Sequence, residues 1–199
     1  MTTDPAGPPR LAGLLLAAGS GKRFGRPKAL VDMGSGPWLL RALDVLGACE
    51  EICVVIGAEA DAVARLLPAG VPAVTNVAHG DGMGSSLRVG LEALTASDAQ
   101  AALVMLVDLP DVTRAVADRL QAHLRAANSP TATLARAGYL GMPGHPVLIG
   151  RDHFAGVMGA AAGDSGARDY LAAHRAELIE CGDIGGGRDV DTVDQLRKG

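Results

Sequence analysis

Apolar residues fall along this chain in two alternating rhythms. Apolar runs at 11–18, 51–57 (after an opening Glu51) and 101–107 have the length and character of strands buried on both faces. Between them apolar positions recur at helical spacing, as with Leu39, Leu40, Leu43 and Leu46 inside 37–48. Val112, Val116, Leu120 and Leu124 do the same inside 112–127. Shorter segments complete the pattern: a helix over 60–67 closed by Pro68 and Gly70, a brief strand over 72–77, and a helix opened by Ser85 and Ser86 and running to Leu94. A strand over 131–135, a Gly-rich turn, a strand over 142–149, helices over 154–162 and 166–174, a strand over 177–181 and a short helix opened by Thr192 follow. Strands alternating with helices predict a three-layer α/β/α fold with a mostly parallel, Rossmann-like sheet. Residues 1–10 read as a disordered tail, and 11–199 as one domain.

The first strand empties into LAAGSGKRFGRPKAL, a turn rich in glycine and in Lys22, Arg23, Arg26 and Lys28. Glycines let the backbone approach a ligand closely, and N–H groups with fixed cations suit a polyphosphate. A basic surface loop is the plainer account. Two common phosphate motifs fail here. A Walker loop needs Ser or Thr after Gly-Lys, and Arg23 follows Lys22. A dinucleotide fingerprint needs GxGxxG, but Phe24 occupies its last position, and the second strand runs into Gly57 and Ala58 before Glu59.

Carboxylates mark two other points. Asp108 closes the strongly apolar run 101–107, where a carboxylate would overhang the crevice at the carboxyl edge of a parallel sheet. Asp108 is thus a candidate magnesium ligand, while Asp111 better suits the cap of the next helix. Near the end, Asp189 and Asp191 fall on one side of an extended segment. Metal ligation and plain helix capping both explain that pair. A Gly-rich cationic loop with two separated carboxylates is the equipment of metal-assisted phosphoryl chemistry.

The run LAAGxGxRFGxxKxL resembles the nucleotidyltransferases that make activated sugars and cofactors, and within them the molybdenum-cofactor cytidylyltransferase-like group. The likeness extends through the Gly-Met-x-x-Ser segment at 82–86, GHPVLI at 144–149, the Gly-Asp-x-Gly-Ala-Arg run at 163–168 and DVDT at 189–192. It implies the fold of the nucleotide-diphospho-sugar transferases, and Mg²⁺-dependent transfer of a nucleotidyl group, CMP from CTP, to a phosphorylated acceptor, molybdopterin. The resemblance assigns nucleotide contacts to Leu16, Ala17, Ala18, Gly19, Ser20, Gly21, Arg23, Lys28, Gly82 and Ser85. It gives catalytic roles to Arg23, Lys28 and Asp108, and metal ligation to Asp108 and Asp191, with Asp189 in reserve. Ser86, His145 and Arg168 would meet the acceptor. From the residues alone, His145 equally suits a hydrogen-bonder at a strand end, and Arg168 a surface pair with Asp164 or Asp169. The pair Ala17-Ala18 favours cytidylyl over guanylyl relatives, which more often carry glycine there. DMGSGPW before the first helix, and DLP in place of Asp-Gln-Pro, depart from the family pattern.

A net charge of −4 argues against a sequence-independent nucleic-acid binder. Aromatics make up only 3%, so the core must be built from Leu, Val, Ala and Ile. Cys49, Cys53 and Cys181 form no CxxC pair, and the chain reads as a reduced, cytoplasmic protein with no apolar run of membrane-spanning length. A molybdoenzyme partner fits the reading. A sugar-phosphate nucleotidyltransferase on the same fold and a cofactor-holding chaperone use the same features; a nicotinamide-dependent reductase lacks its fingerprint.

Overall fold

The computed structural model describes residues 7–22, 24–32, 34 and 36–190. Seven strands form one sheet: β1 (Leu11–Ala17), β2 (Glu51–Ile56), β3 (Ala73–Thr75), β4 (Ala101–Leu106), β5 (Leu134–Tyr139), β6 (Met142–Gly150) and β7 (Glu177–Glu180), in the order β3-β2-β1-β4-β6-β5-β7. All neighbours run parallel except β6, which is antiparallel to both β4 and β5. Helices are α1 (Trp38–Val45), α2 (Ala60–Ala64), α3 (Met83–Leu94), α4 (Arg114–Ala126), α5 (Phe154–Ala160) and α6 (Arg168–Ala173).

Strand alternation separates two cores, one on each face of the sheet. Leu11, Leu15 and Ala17 of β1 pack with Leu39 and Leu43 of α1 and with Val116, Leu120 and Leu124 of α4. Ala12, Leu14 and Leu16 face the opposite way, onto Leu87, Leu91 and Leu94 of α3 and Phe154 and Val157 of α5. Both faces are covered, which is why the central strands carry no polar residue over 11–17 or 101–106. Helix α3 lies close to the sheet because of Gly90. A Cβ there would come within 2.5 Å of Leu14.

Several predicted boundaries move, each for a physical reason. Helix α3 begins at Met83, with Gly82 (φ 96°) at its N-cap, because the Ser85 hydroxyl turns back to donate to the Gly82 and Ala78 carbonyls. Strand β5 starts three residues later than predicted and runs through the expected Gly-rich turn, because it pairs on both sides, with β6 and β7. The true turn is Leu140-Gly141, both at positive φ, the backbone a two-residue hairpin requires. Asp111 does not cap α4; its carboxylate pairs with Arg188 at 3.1 Å, and Thr113 holds the cap position. Likewise neither Asp164 nor Ser165 caps α6, which starts at Arg168 after Ala167. The helix expected from Thr192 lies outside the described residues. Among the described residues no helix is long and apolar enough to cross a membrane.

Candidate nucleotide site

Sheet order turns around at β1 and β4: the chain leaves β1 toward β2 on one side, while β4 leads to β6 on the other. Ligands of open α/β sheets bind in the crevice beyond the carboxyl ends of strands at such a switch. Here β1 delivers the glycine-rich loop and β4 delivers Asp108 to that same crevice.

The loop is held by its own backbone. Phe24 N–H and Gly25 N–H both donate to the Gly21 carbonyl at 2.8 Å. Gly21 sits at φ +58°, and a Cβ on it would lie 1.9 Å from the Arg26 carbonyl oxygen, so no other residue fits. Pro27 then leads into a single 3₁₀ turn, Lys28–Leu30, which turns Lys28 inward. The Lys28 Nζ donates to Asp108 Oδ2 at 2.8 Å, with side chains only 13% and 20% exposed. The other carboxylate oxygen, Asp108 Oδ1, is buried and accepts no hydrogen bond among the described residues.

Leu16, Ala18, Gly19, Ser20, Gly21, Lys22, Lys28 and Asp108 form one wall and the floor of a cleft of about 580 Å³. His79, Gly80, Gly82, Met83, Ser86 and Asp164 form the opposite wall. Most of the residues expected at the nucleotide therefore meet in one place. Ala17 does not line the cleft, since it points into the core on the α1–α4 face. Ser85 does not line it either. It is buried beneath, bonded to Asn76 and the 78–82 turn. Ser86, expected at the acceptor, lines this cleft instead. Arg23 and Asp191 lie outside the described residues. The segment before Asp191 runs beside Asp108: Val190 N–H donates to the Asp108 carbonyl at 3.1 Å, and Gly186 N–H to that of Asp111 at 2.9 Å.

His145 and Arg168 line a second, smaller pocket of about 100 Å³, which shares Leu16 and Met83 with the cleft. Burial, reinforced by the nearby Arg136, pushes the His145 imidazole down to about 4, against a weak opposing pull from Asp189. His145 is therefore neutral at pH 7. Arg168 makes no ion pair with Asp164 or Asp169.

Two residues escaped the sequence reading. Asn76, 2% exposed, donates to Ser85 Oγ at 2.8 Å and Ser86 Oγ at 3.0 Å, and accepts from Ala78 N–H at 2.9 Å. It ties the end of β3 to the start of α3 and so shapes the wall facing the loop. A polar residue ending a strand was its only signal. Arg136 reaches the small pocket from β5, where a cation between Ala135 and Ala137 was visible as an odd residue in a small apolar strand.

A divalent cation suits this carboxylate. Among the described residues no three His, Cys, Asp or Glu cluster as a protein-only metal cage. Mg²⁺ needs none, since one or two carboxylates with phosphate oxygens and water complete its shell. The unpartnered Asp108 Oδ1 is a buried acceptor that a cation would satisfy.

Residues 13–178 match the MobA-like NTP transferase domain, and the chain belongs to that family. The nicotine blue oxidoreductase of Paenarthrobacter nicotinovorans is 36% identical over 94% of this chain and 95% of its own. The molybdenum cofactor guanylyltransferase of Rhodobacter capsulatus is 29% identical over 73% and 66%. The 2-C-methyl-D-erythritol 4-phosphate cytidylyltransferase of Rhodococcus jostii is 41% identical over 51% and 44%. Among solved structures, Mycobacterium tuberculosis Rv0371c superposes with a TM-score of 0.78 at 26% identity, covering 96% of this chain and 97% of that one. A second structure of Rv0371c is a complex with manganese, with a TM-score of 0.73 at 27% identity, covering 95% and 97%. The chain is a nucleotidyltransferase by family; that family acts on a nucleoside triphosphate and a phosphorylated substrate, and divalent metals are typical of the fold.

Proposed function

We propose that this MobA-like transferase moves CMP from CTP to the phosphate of molybdopterin, using Mg²⁺ and releasing pyrophosphate. The observation that carries the chemistry is the Lys28–Asp108 pair at the mouth of the glycine loop, with one carboxylate oxygen left unclaimed. The loop from Ala18 to Lys22 would cradle the triphosphate, and Lys28 would offset charge on the departing pyrophosphate. Arg23 is proposed to join it. Asp108, with Asp191 as the proposed second carboxylate, would hold Mg²⁺, which supplies Lewis-acid polarisation of the phosphoryl oxygens. An acceptor phosphate oxygen attacks the α-phosphorus in line; that P–O bond forms as the bond to the β-phosphate breaks. The nucleophile is already ionised near neutral pH, so no general base is required of His79 or Asp164, the two titratable side chains on the wall opposite Asp108.

Cytosine is supported by the Ala17-Ala18 pair of the loop, of which Ala18 lines the cleft while Ala17 faces the core. Relatives named for the molybdenum cofactor support the acceptor.

The test is pyrophosphate release with Mg²⁺, purified molybdopterin, and CTP, GTP, ATP or UTP in separate reactions. Release with CTP alone is expected. Release with GTP alone would overturn the base assignment, and silence with all four would overturn the acceptor. The near-full-length relative named as an oxidoreductase favours one second reading, a reductase built on this frame. NADH consumption with a quinonoid dye, in the absence of any pyrophosphate release, would establish it.

A further inference from the structure

The small pocket beside the cleft holds two guanidinium groups and no carboxylate. Arg136 enters from β5 and is half-buried; its Nε and Nη2 donate to the Gly144 carbonyl at 3.3 and 3.2 Å. Arg168 enters from the start of α6. Neither forms an ion pair within the described residues. Burial lowers the basicity of Arg136, and the Arg168 charge lowers it further. Arginine nevertheless stays protonated in proteins, so the half-buried Arg136 and the more exposed Arg168 bring two like charges to a space lined by Leu16, Leu87, Val147 and Leu171. Asp189, which is exposed, acts on the neighbouring His145. An arrangement of this kind is destabilised when empty and relieved by an anion.

We infer that Arg136, together with Arg168, clamps a phosphomonoester of the acceptor, and that Arg136 is a specificity-determining residue for that substrate. Pocket size supports a single anionic group. About 100 Å³ is the liquid volume of roughly three waters at ~30 Å³ each, too small for a ring system. Paired guanidiniums suit a tetrahedral oxyanion with several lone pairs. Neutral His145 adds one donor without adding charge. Tyr139 keeps the arginine's support in place by donating to the His145 carbonyl at 2.7 Å, which steadies the 144–145 backbone that Arg136 grips. Leu16 and Met83 line both spaces, so a phosphate held here borders the nucleotide cleft in which it would react.

This inference rests on the proposed transfer to a phosphorylated acceptor, and two readouts separate their fates. The first is binding of phenyl phosphate to the intact protein, followed by ³¹P NMR, in wild type, Arg136→Met, Arg136→Lys and Arg168→Met. The second is the KM for molybdopterin against the KM for CTP in the same proteins. Arg136→Met should weaken phenyl phosphate binding by roughly 10- to 100-fold, the loss expected for one charged hydrogen-bond partner. Arg136→Lys should recover part of it. KM for molybdopterin should rise by a like factor while KM for CTP stays within twofold. Equal phenyl phosphate binding in wild type and Arg136→Met would overturn the clamp, as would KM values for both substrates rising together, which marks a hairpin brace. Arg136-dependent binding without any nucleotidyl transfer would retain the clamp and sink the transfer reading.

Discussion

Asp108→Asn keeps the shape of the side chain and removes one charge, which makes it the sharpest probe of the cleft. At an effective dielectric near 20, unit charges about 4 Å apart interact by about 4 kcal/mol. A carboxylate that stabilises a cation or a charged transition state from that distance therefore accounts for roughly 10³-fold in rate, at ~1.4 kcal/mol per decade. The effect on stability should be far smaller, because two contributions oppose each other. The variant loses the charge-assisted bond from Lys28, about 1.5–3 kcal/mol. It also no longer buries a charged oxygen without a donor, which relieves about 1–3 kcal/mol. The net change should stay within about 1.5 kcal/mol, or about 5 °C in Tm for a chain of this size. Pyrophosphate release would measure the first effect, thermal melting by circular dichroism the second, and Mn²⁺ electron paramagnetic resonance the loss of the cation. A kcat within tenfold of wild type, with Mn²⁺ binding unchanged, would refute the role given to Asp108.

Other expectations follow from single contacts. Gly21→Ala forces a Cβ against the Arg26 carbonyl, so the loop must shift, Tm should fall and the Kd for the nucleotide should rise at least tenfold; thermal melting and isothermal titration with CTP check the two effects. Asn76→Ala strands two buried hydroxyls and the Ala78 N–H, and should cost about 2–4 kcal/mol, read as a fall in the urea midpoint at constant slope. His145 is held near 4 in the folded protein against ~6.5 unfolded, so below the unfolded value the unfolded chain takes up the proton more readily. Its contribution to stability is therefore present above pH 6.5 and is lost as the pH falls toward 4, by up to about 3 kcal/mol. His145→Gln should lack that slope in urea melts between pH 7 and 4.5, and matching slopes in the two proteins would refute it.

Strand identity was legible because both faces of β1, β2 and β4 are covered, and a strand with no exposed face must be apolar throughout. The glycine loop and Asp108 were legible for a related reason: each directly follows such a strand, and parallel strands deliver their carboxyl ends to one edge. Gly21 could be read locally, since its conformation is closed to any side chain.

Pairing between distant segments decided the rest. Nothing near Ser85 announces that Asn76 will take its hydroxyl, because that bond depends on how β3 meets α3. Strand β5 runs past its predicted end because β6 and β7 satisfy its backbone on both edges, an influence no local window contains. Arg136 and Arg168 stand 32 positions apart in the chain, and only the packing of β5 and α6 around one pocket brings their charges together. Local composition determines which segments can be strands, helices or turns, since burial and backbone conformation act residue by residue. Which side chains share a site is settled by long-range packing, because electrostatics and hydrogen bonding depend on distance in space and not along the chain.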